Sequence, residues 1–411
     1  MQVDLLARPR MATPARFAQE RGFVRVNPSW RQQLDTSGLH SAADFLAIPG
    51  EVISGHPDRH VMRVRVGEVA CYLKREHRVP FLDRLTSWRA GFGFVSVSCR
   101  EAAMLDELHK LQIPSPEWLA AGEDGAGRAF LLLREVPRAL DLRRYARALA
   151  VRPSDERRQF ARRLGRLLAE LHDRGIVYPD LYAKHTMVDQ VSGGITLIDW
   201  QRARIRAKVS WRERCRELAA LNASLADDLA GPAERRVFLL AYLRHTRSRL
   251  PEFATICRRI ERRTAKLLNR SSIREQRLPV VAESQPLIWL DGEALCVTPR
   301  YQVLFKANEL QRLAYSLPES AGNECRTRFV RLRNGAQAQL MCRRTIRRAA
   351  QVLDAVRQRH WLTPEAHEAA ALLRRERLGE SPRLLAFGQR SRSWGVIDSF
   401  LLVESHDEGA E

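Results

Sequence analysis

Cysteine is sparse and shows no metal-binding or disulfide pattern. The seven residues Cys71, Cys99, Cys215, Cys257, Cys296, Cys325 and Cys342 are scattered, odd in number and include no CxxC pair. That arrangement excludes a disulfide framework and the ligand spacing of a zinc site, and most of these thiols are expected to be small buried apolar groups. No apolar run approaches the ~18 residues of a membrane span, and the first residues, MQVDLLARPRMATPARF, lack the apolar core of a signal peptide. The chain is therefore expected in the cytoplasm. Acidic residues are under-represented, with 48 Asp and Glu against 69 Lys and Arg, a net charge of +21. Such a balance favours anionic partners: phosphorylated glycolipid, an anionic membrane surface or nucleic acid. What the chain has in ordinary measure is core material, 45% apolar residues over 411 positions, enough for two or three domains.

Residues 1–22 carry charge and Pro without periodicity and read as a flexible extension. From Phe23 to Ile48 two helical pieces are expected, followed by three short strands between Glu51 and Lys74 with turns at Gly55-His56-Pro57-Asp58 and Gly67-Glu68. Ser98-Cys99-Arg100-Glu101 opens a helix to Leu111 with Met104, Leu105, Leu108 and Leu111 on one face, and Ile113-Pro114-Ser115-Pro116 breaks it. Two strands then run from Trp118 to Glu135 around the Gly125-Ala126-Gly127 turn. A strand-end lysine, Lys74, a helix glutamate, Glu101, and a strand leading into Glu135-Val136-Pro137 resemble the small lobe of a protein kinase. In such a lobe the lysine reaches the nucleotide phosphates, the glutamate orients it, and the backbone of the hinge bonds adenine. Between Lys74 and the helix lies REHRVPFLDRLTSWRAGFGF, a basic and aromatic insertion. It reads either as a packed surface loop or as an acceptor-binding or membrane-facing segment.

From Asp141 to about Arg274 the pattern is helical, with segments at 157–173, 211–229, 233–249 and 256–268 separated by Gly231-Pro232 and Leu250-Pro251. The last of these carries Arg258, Arg259, Arg262, Arg263 and Lys266. Within this helical part lies the stretch LHDRGIVYPDLYAKHTMVDQVSGGITLIDWQRAR, residues 171–204. Asp180 sits in its loop, His185 five residues on, and Asp199 at the end of the Ile195–Ile198 apolar run. In a kinase-type phosphotransferase these positions hold the carboxylate that takes the acceptor's proton and two ligands for Mg²⁺. His185 is open to two readings, a metal ligand or a loop-holding hydrogen bond. Tyr178-Pro179 stands where protein kinases have His-Arg, which argues against control by activation-loop phosphorylation.

The motifs DLYAKH, IDWQRAR and YLKREHRVP are similar to those of the lipopolysaccharide kinase family, which includes Kdo kinases and inner-core heptose kinases, over roughly residues 23–275. The resemblance implies an α+β, protein-kinase-like two-lobed fold, a small lobe over 23–136 and a helical lobe over 137–275. It also implies an ATP- and Mg²⁺-dependent kinase acting on a sugar hydroxyl of an anionic core glycolipid, with peripheral contact at the inner membrane face. By the same likeness Asp180, Lys74 and Glu101 are the catalytic set, Gly55, Lys74, Glu135 and Val136 contact the nucleotide, and His185 and Asp199 bind metal. A pseudokinase scaffold that binds glycolipid or envelope-assembly partners is the alternative. Nucleic acid is not an expected partner, since no recognition motif accompanies the charge.

Residues 276–411 read as a degenerate repeat of the small lobe. Arg63–Gly67 recurs as Arg331–Gly335, Ser115-Pro116 as Ser381-Pro382, and the strand ending at Glu135 as Phe400–Glu404. On that register Lys74 falls opposite Cys342, beside Arg343, and Glu101 near Glu368, with no counterpart of Asp180 or Asp199. The segment is expected to be a docking or regulatory lobe, or a truncated remnant.

Overall fold

The computed structural model describes residues 22–56 and 59–270, and beyond them 273, 288–290, 294–297, 325–332, 335, 337–346, 365, 368–369, 372, 383–393 and 396–404. The extension expected over 1–22 lies outside them apart from residue 22, as do Pro57-Asp58, Ser381-Pro382 and the boundary expected at 275/276. No helix among the described residues is long and apolar enough to cross a membrane.

The first unit begins with β1 (Phe23–Val26), α1 (Arg31–Thr36) and α2 (Ala42–Ala47), the last closed by a Ser41/Asp44 capping box. Strands β2 (Glu51–His56), β3 (Arg59–Val66) and β4 (Val69–Glu76) follow, then α3 (Phe81–Arg89), α4 (Val97–Lys110), β5 (Trp118–Glu123) and β6 (Ala129–Arg134). The strands form one antiparallel sheet in the order β1-β5-β6-β4-β3-β2. Two expectations are corrected. Phe23–Val26 is not helical but an edge strand on β5, a pairing of segments almost a hundred residues apart that no local pattern announces. The insertion after Lys74 contains the helix α3 rather than only loop.

One face of this sheet packs Phe45, Met62, Val64, Leu73, Phe130 and Leu132 beneath α1 and α2. The other carries α4, whose Met104, Leu105 and Leu108 join a core that runs on into the helical unit through Leu131 and Leu133. This side positions the site. The N-terminus of α4 is capped by the Ser96 hydroxyl, and the buried Glu76 takes the Ser98 amide at 2.6 Å.

The second unit comprises β7 (Ala139–Asp141), α5 (Leu142–Ala150), α6 (Ser154–Asp173), β8 (Ile176–Val177), β9 (Thr186–Asp189), β10 (Ile195–Leu197) and β11 (Arg204–Ile205). Helices α7 (Trp211–Ser224), α8 (Pro232–His245) and α9 (Phe253–Leu268) complete it. Helix α6 stops at Gly175, which has φ +80°, and a Cβ there would lie 2.0 Å from the Arg206 carbonyl oxygen, so only glycine lets the chain turn into β8. Strand β8 pairs with β11, and β9 pairs with both β10 and β7, so the stretch between α6 and α7 is pinned at both ends.

The remaining strands are β12 (Ile288–Leu290), β13 (Ala294–Val297), β14 (Cys325–Arg331), β15 (Gln337–Ile346), β16 (Leu384–Ser393) and β17 (Val396–Glu404). They form a second antiparallel sheet in the order β12-β13-β16-β17-β15-β14. Its strands β13, β16, β17, β15 and β14 stand in the same order as β1, β5, β6, β4 and β3. Lys74 pairs across to Leu131 in the first sheet and Cys342 to Phe400 in the second. Against this second sheet the buried glutamate is Glu365, which takes Arg343 Nε at 2.7 Å and the Ser399 hydroxyl at 2.8 Å. Glu368, expected near the position of Glu101, is exposed. The three-residue slip between 365 and 368 reflects a helix register that sequence matching does not fix.

Candidate active site

Strand β4 delivers Lys74 to the sheet face that α4 covers, and α4 delivers Glu101 from its first turns. The Lys74 ammonium lies 2.7 Å from both Glu101 carboxylate oxygens, with Glu101 1% exposed. A fully buried carboxylate without partners would be costly. Here Oε1 also accepts the Trp200 amide at 3.0 Å, and Arg59 stands 3.8 Å from Oε2. Lys74 is also 3.6 Å from Asp199 Oδ1, so one ammonium links the sheet, the helix and the loop after β10.

Among the described residues, Asp199 is one of three non-glycine residues with positive φ, at +65°. That conformation is strained for a side chain of this kind and points its carboxylate back toward the lysine and His185. Burial alone would raise its pKa, but Lys74 above all, with Arg59, holds it down to about 2, so it is ionised. Asp199 Oδ1 is buried with no hydrogen-bond donor.

His185 ends a 3-10 turn, Ala183–His185, and its Nδ1 lies 2.8 Å from the Asp180 carbonyl. A carbonyl only accepts, so Nδ1 carries the proton and Nε2 presents a lone pair. Burial lowers the His185 pKa and keeps the ring neutral. Nε2 faces Asp199 Oδ2 at 3.5 Å. A lone pair and a carboxylate oxygen facing each other with no proton between them form a place for a cation.

Asp180 is 6% exposed; burial pushes its carboxyl pKa up to about 6, against the pull of Arg202. Arg202 donates to Oδ1 at 3.0 Å, while Oδ2 is buried without a donor. The loop that carries Asp180 is held from behind. Tyr178, fully buried, stacks on Trp200 and donates its hydroxyl to the Ile198 carbonyl, while its amide donates to Glu217 Oε2 at 2.9 Å. Glu217 also takes His172 Nε2 at 3.0 Å, and His172 Nδ1 meets the Tyr242 hydroxyl at 2.7 Å. Arg214, 1% exposed, fans out to Tyr242, Thr246, Ser248, Asp173 and the His172 carbonyl.

The structure thus gathers Lys74, Glu101, Asp180, His185 and Asp199 around one cleft. Gly55 lies two strands over from Lys74, in β2 opposite His60, the neighbour of Val61, which pairs with Lys74. Glu135 follows β6; its amide donates to the Ala70 carbonyl at 2.9 Å and its carboxylate pairs with Arg63 at 2.9 and 3.0 Å, with Val136 next in the chain. Residues that sequence reading missed are Arg59, Arg202, Arg214 and Glu217. For the last two a signal exists: Arg214, Glu217, Leu218 and Leu221 fall at i, i+3, i+4 and i+7, which puts two charges on the core stripe of α7.

A lysine–glutamate pair under a sheet, with a loop carboxylate and a second carboxylate after a short strand, defines a protein-kinase-like phosphotransferase. Residues 43–242, just under half of the chain, match the family model described as "Lipopolysaccharide kinase (Kdo/WaaP) family", to which the chain is similar over that range, and the protein is a phosphotransferase with an alcohol group as acceptor. A solved structure titled "WaaP in complex with acyl carrier protein" is similar at 22% identity and a TM-score of 0.45, covering 60% of this chain and 99% of that chain. The comparison with curated proteins gave no match.

Proposed function

We propose that the chain is an ATP- and Mg²⁺-dependent kinase that phosphorylates a sugar hydroxyl of a lipopolysaccharide core or a similar envelope glycolipid. The observation that carries this reading is the pair of buried carboxylate oxygens without donors, Asp180 Oδ2 and Asp199 Oδ1, beside the Lys74–Glu101 pair. Asp199 and His185 fit a magnesium ion. Among the described residues no three His, Cys, Asp or Glu side chains converge on one point, and Mg²⁺ on a nucleotide takes one or two protein ligands, the rest being phosphate oxygens and water. Bound there, the ion neutralises phosphate charge.

The residues then divide the work. Lys74, held by Glu101, steadies the nucleotide phosphates, and Asp199 and His185 supply the ion's protein ligands. The hinge offers adenine the Glu135 carbonyl and the Val136 backbone, the Glu135 amide being taken, and Gly55 covers the phosphates from the β2–β3 hairpin. Asp180 Oδ2 accepts the proton of the acceptor hydroxyl as its oxygen attacks the γ-phosphorus and ADP leaves. Arg202, half-exposed and bonded to the other oxygen of Asp180, is placed to read an anionic group of the acceptor. We also propose small and helical lobes at 23–136 and 137–275, and a degenerate second small lobe at 276–411 in which Cys342 replaces the lysine and Glu365 is spent on Arg343 and Ser399.

One observation favours the scaffold alternative: Arg202 occupies one oxygen of the proposed base. A thermal-shift titration with ATP and Mg²⁺, alone and together, separates the two, with Asp199→Ala as control. A shift that needs both ligands and is lost in Asp199→Ala, followed by transfer of γ-phosphate to core glycolipid, supports the kinase. No shift at millimolar nucleotide refutes it.

A further inference from the structure

The insertion between β4 and α4 leaves large apolar side chains in solvent on a well-anchored platform. Phe81 is 67% exposed, Trp88 60%, Phe94 49% and Leu82 38%. Phe81, Leu85 and Trp88 fall at i, i+4 and i+7 and so line one face of α3, and Phe94 returns edge-on to Phe81 with ring centroids 5.5 Å apart. This is no loose loop. Arg84 binds Glu123 at 2.6 Å and lies over the Phe94 ring, Glu123 takes the Ser96 amide at 2.6 Å, Phe92 donates to the Ser87 carbonyl at 3.0 Å, and Ser87 is fully buried.

Exposed aromatic groups fixed together on one face mark a docking surface. Its rim is cationic: Arg78 and Arg89 are exposed and have no carboxylate partner among the described residues. A chain of contacts also links the patch to the catalytic side. Arg100 lies over Phe92 at 5.3 Å and donates to the Ala203 carbonyl at 3.1 Å, next to Arg202, the partner of Asp180, and Arg204.

We propose that α3 and the Phe94 turn seat the protein on an anionic lipid bilayer, with Phe81, Trp88 and Phe94 in the headgroup boundary and Arg78 and Arg89 against lipid phosphates. Trp and Phe flanked by Arg suit that boundary, where an amphipathic face gains from apolar burial and from charge attraction together. The net charge of +21 acts in the same sense. The surface is an exposed helix face, which fits a fluid interface. The proposal deepens the glycolipid-kinase reading, since a bilayer-seated face would bring Asp180 to the headgroups where such an acceptor sits.

The test is co-sedimentation of the full chain, without nucleotide or acceptor, with vesicles of phosphatidylglycerol and phosphatidylcholine at ~0.15 M salt, where long-range charge attraction is largely screened. Wild type is expected to partition at least tenfold more strongly than Phe81→Ser/Trp88→Ser, and more strongly than it does to phosphatidylcholine alone. Trp88→Phe is expected to keep binding but to lose the part of the blue shift in tryptophan fluorescence that vesicles cause. The melting temperature and the ATP·Mg²⁺ thermal shift of each variant establish that it is folded, and they report on the kinase reading separately. Equal partition of wild type and the double variant would assign binding to bulk charge and overturn the proposal. So would wild type remaining in the supernatant, the outcome expected if the patch docks a protein instead.

Discussion

The ring of Tyr178 lies against that of Trp200, centroids 4.4 Å apart and planes 30° from parallel. One residue precedes the proposed base by two positions, and the other follows the proposed metal ligand directly. The stack, with the Tyr178 hydroxyl on the Ile198 carbonyl, therefore fixes the distance between Asp180 and Asp199 from below. Tyr178→Phe keeps the stack and removes the donor from the half-buried Ile198 carbonyl, which should cost about 1 kcal/mol by denaturant unfolding. Tyr178→Ala removes the ring as well and should cost about 3–5 kcal/mol. If the coupling is real, Tyr178→Phe also weakens the Mg²⁺-dependent part of the ATP thermal shift.

Asp180 presents stability and chemistry in opposition. Its folded pKa of about 6 lies above the 3.8 of a free carboxyl, so the native state holds the proton more tightly than the unfolded chain. The stability this contributes is complete below pH 3.8 and lost as the pH rises through about 6, and near neutrality the ionised, buried group is a burden. Its partner Arg202 is half-exposed and offsets little of that. Asp180→Asn should therefore lower turnover by about 10²–10⁴-fold while leaving the melting temperature at pH 7.5 equal to or above wild type. A variant that melts lower and still turns over would move the base elsewhere.

His60 and His77 form a second titrating element, away from the cleft carboxylates. Their rings meet at 2.6 Å between Nδ1 and Nε2, and both are largely buried. Burial is the main cause that lowers their pKa values, to about 3 and about 4, with further lowering by Arg75 on both, His77 on His60 and Arg128 on His77. The folded protein keeps them neutral while the unfolded chain protonates near 6.5. Stability from this pair is complete above pH 6.5 and is lost as the pH falls toward 4 and 3. Because Asp180 acts in the opposite sense over part of that window, the comparison belongs in the Asp180→Asn background. There, unfolding free energy should drop on the order of 4 kcal/mol between pH 7 and 5, about half of it from each ring, and His60→Gln/His77→Gln should flatten the slope. An unchanged slope would mean that the rings are protonated in the fold.

The sequence was most legible where chemistry imposes spacing. Lys74 alone is a strand-end lysine, but a strand, an intervening helix start and Glu101 together place it, and Asp180, His185 and Asp199 stand out because polar groups interrupt apolar segments at fixed intervals. Illegible were the contacts that only the assembled fold creates. Arg202 reaches Asp180 across 22 residues, Arg59 approaches Glu101 from another strand, and β1 exists because β5 offers it an edge. Helix α3 was hidden for a different reason. Its apolar residues face solvent, so the usual inference from an apolar stripe to a packed helix has no core to refer to. The second sheet could be aligned from its strands, while the glutamate beside it could not, because a helix can shift its register by about a turn with little change in composition.

The two six-stranded sheets share no strand pairing, so the hydrogen bonds of the first remain whole when the second is removed. The large core likewise draws, among the described residues, on residues between Phe92 and Ile260. A fragment of residues 1–280 should therefore be soluble, unfold in one cooperative transition and keep the ATP·Mg²⁺ thermal shift, within a few degrees of the full chain's melting temperature. A core that runs through both the sheet side and the helical unit couples their unfolding. If transfer to glycolipid falls in the fragment while nucleotide binding holds, the segment beyond 280 serves acceptor docking. If the fragment is insoluble, that segment covers apolar surface of the kinase portion and is a structural part of it.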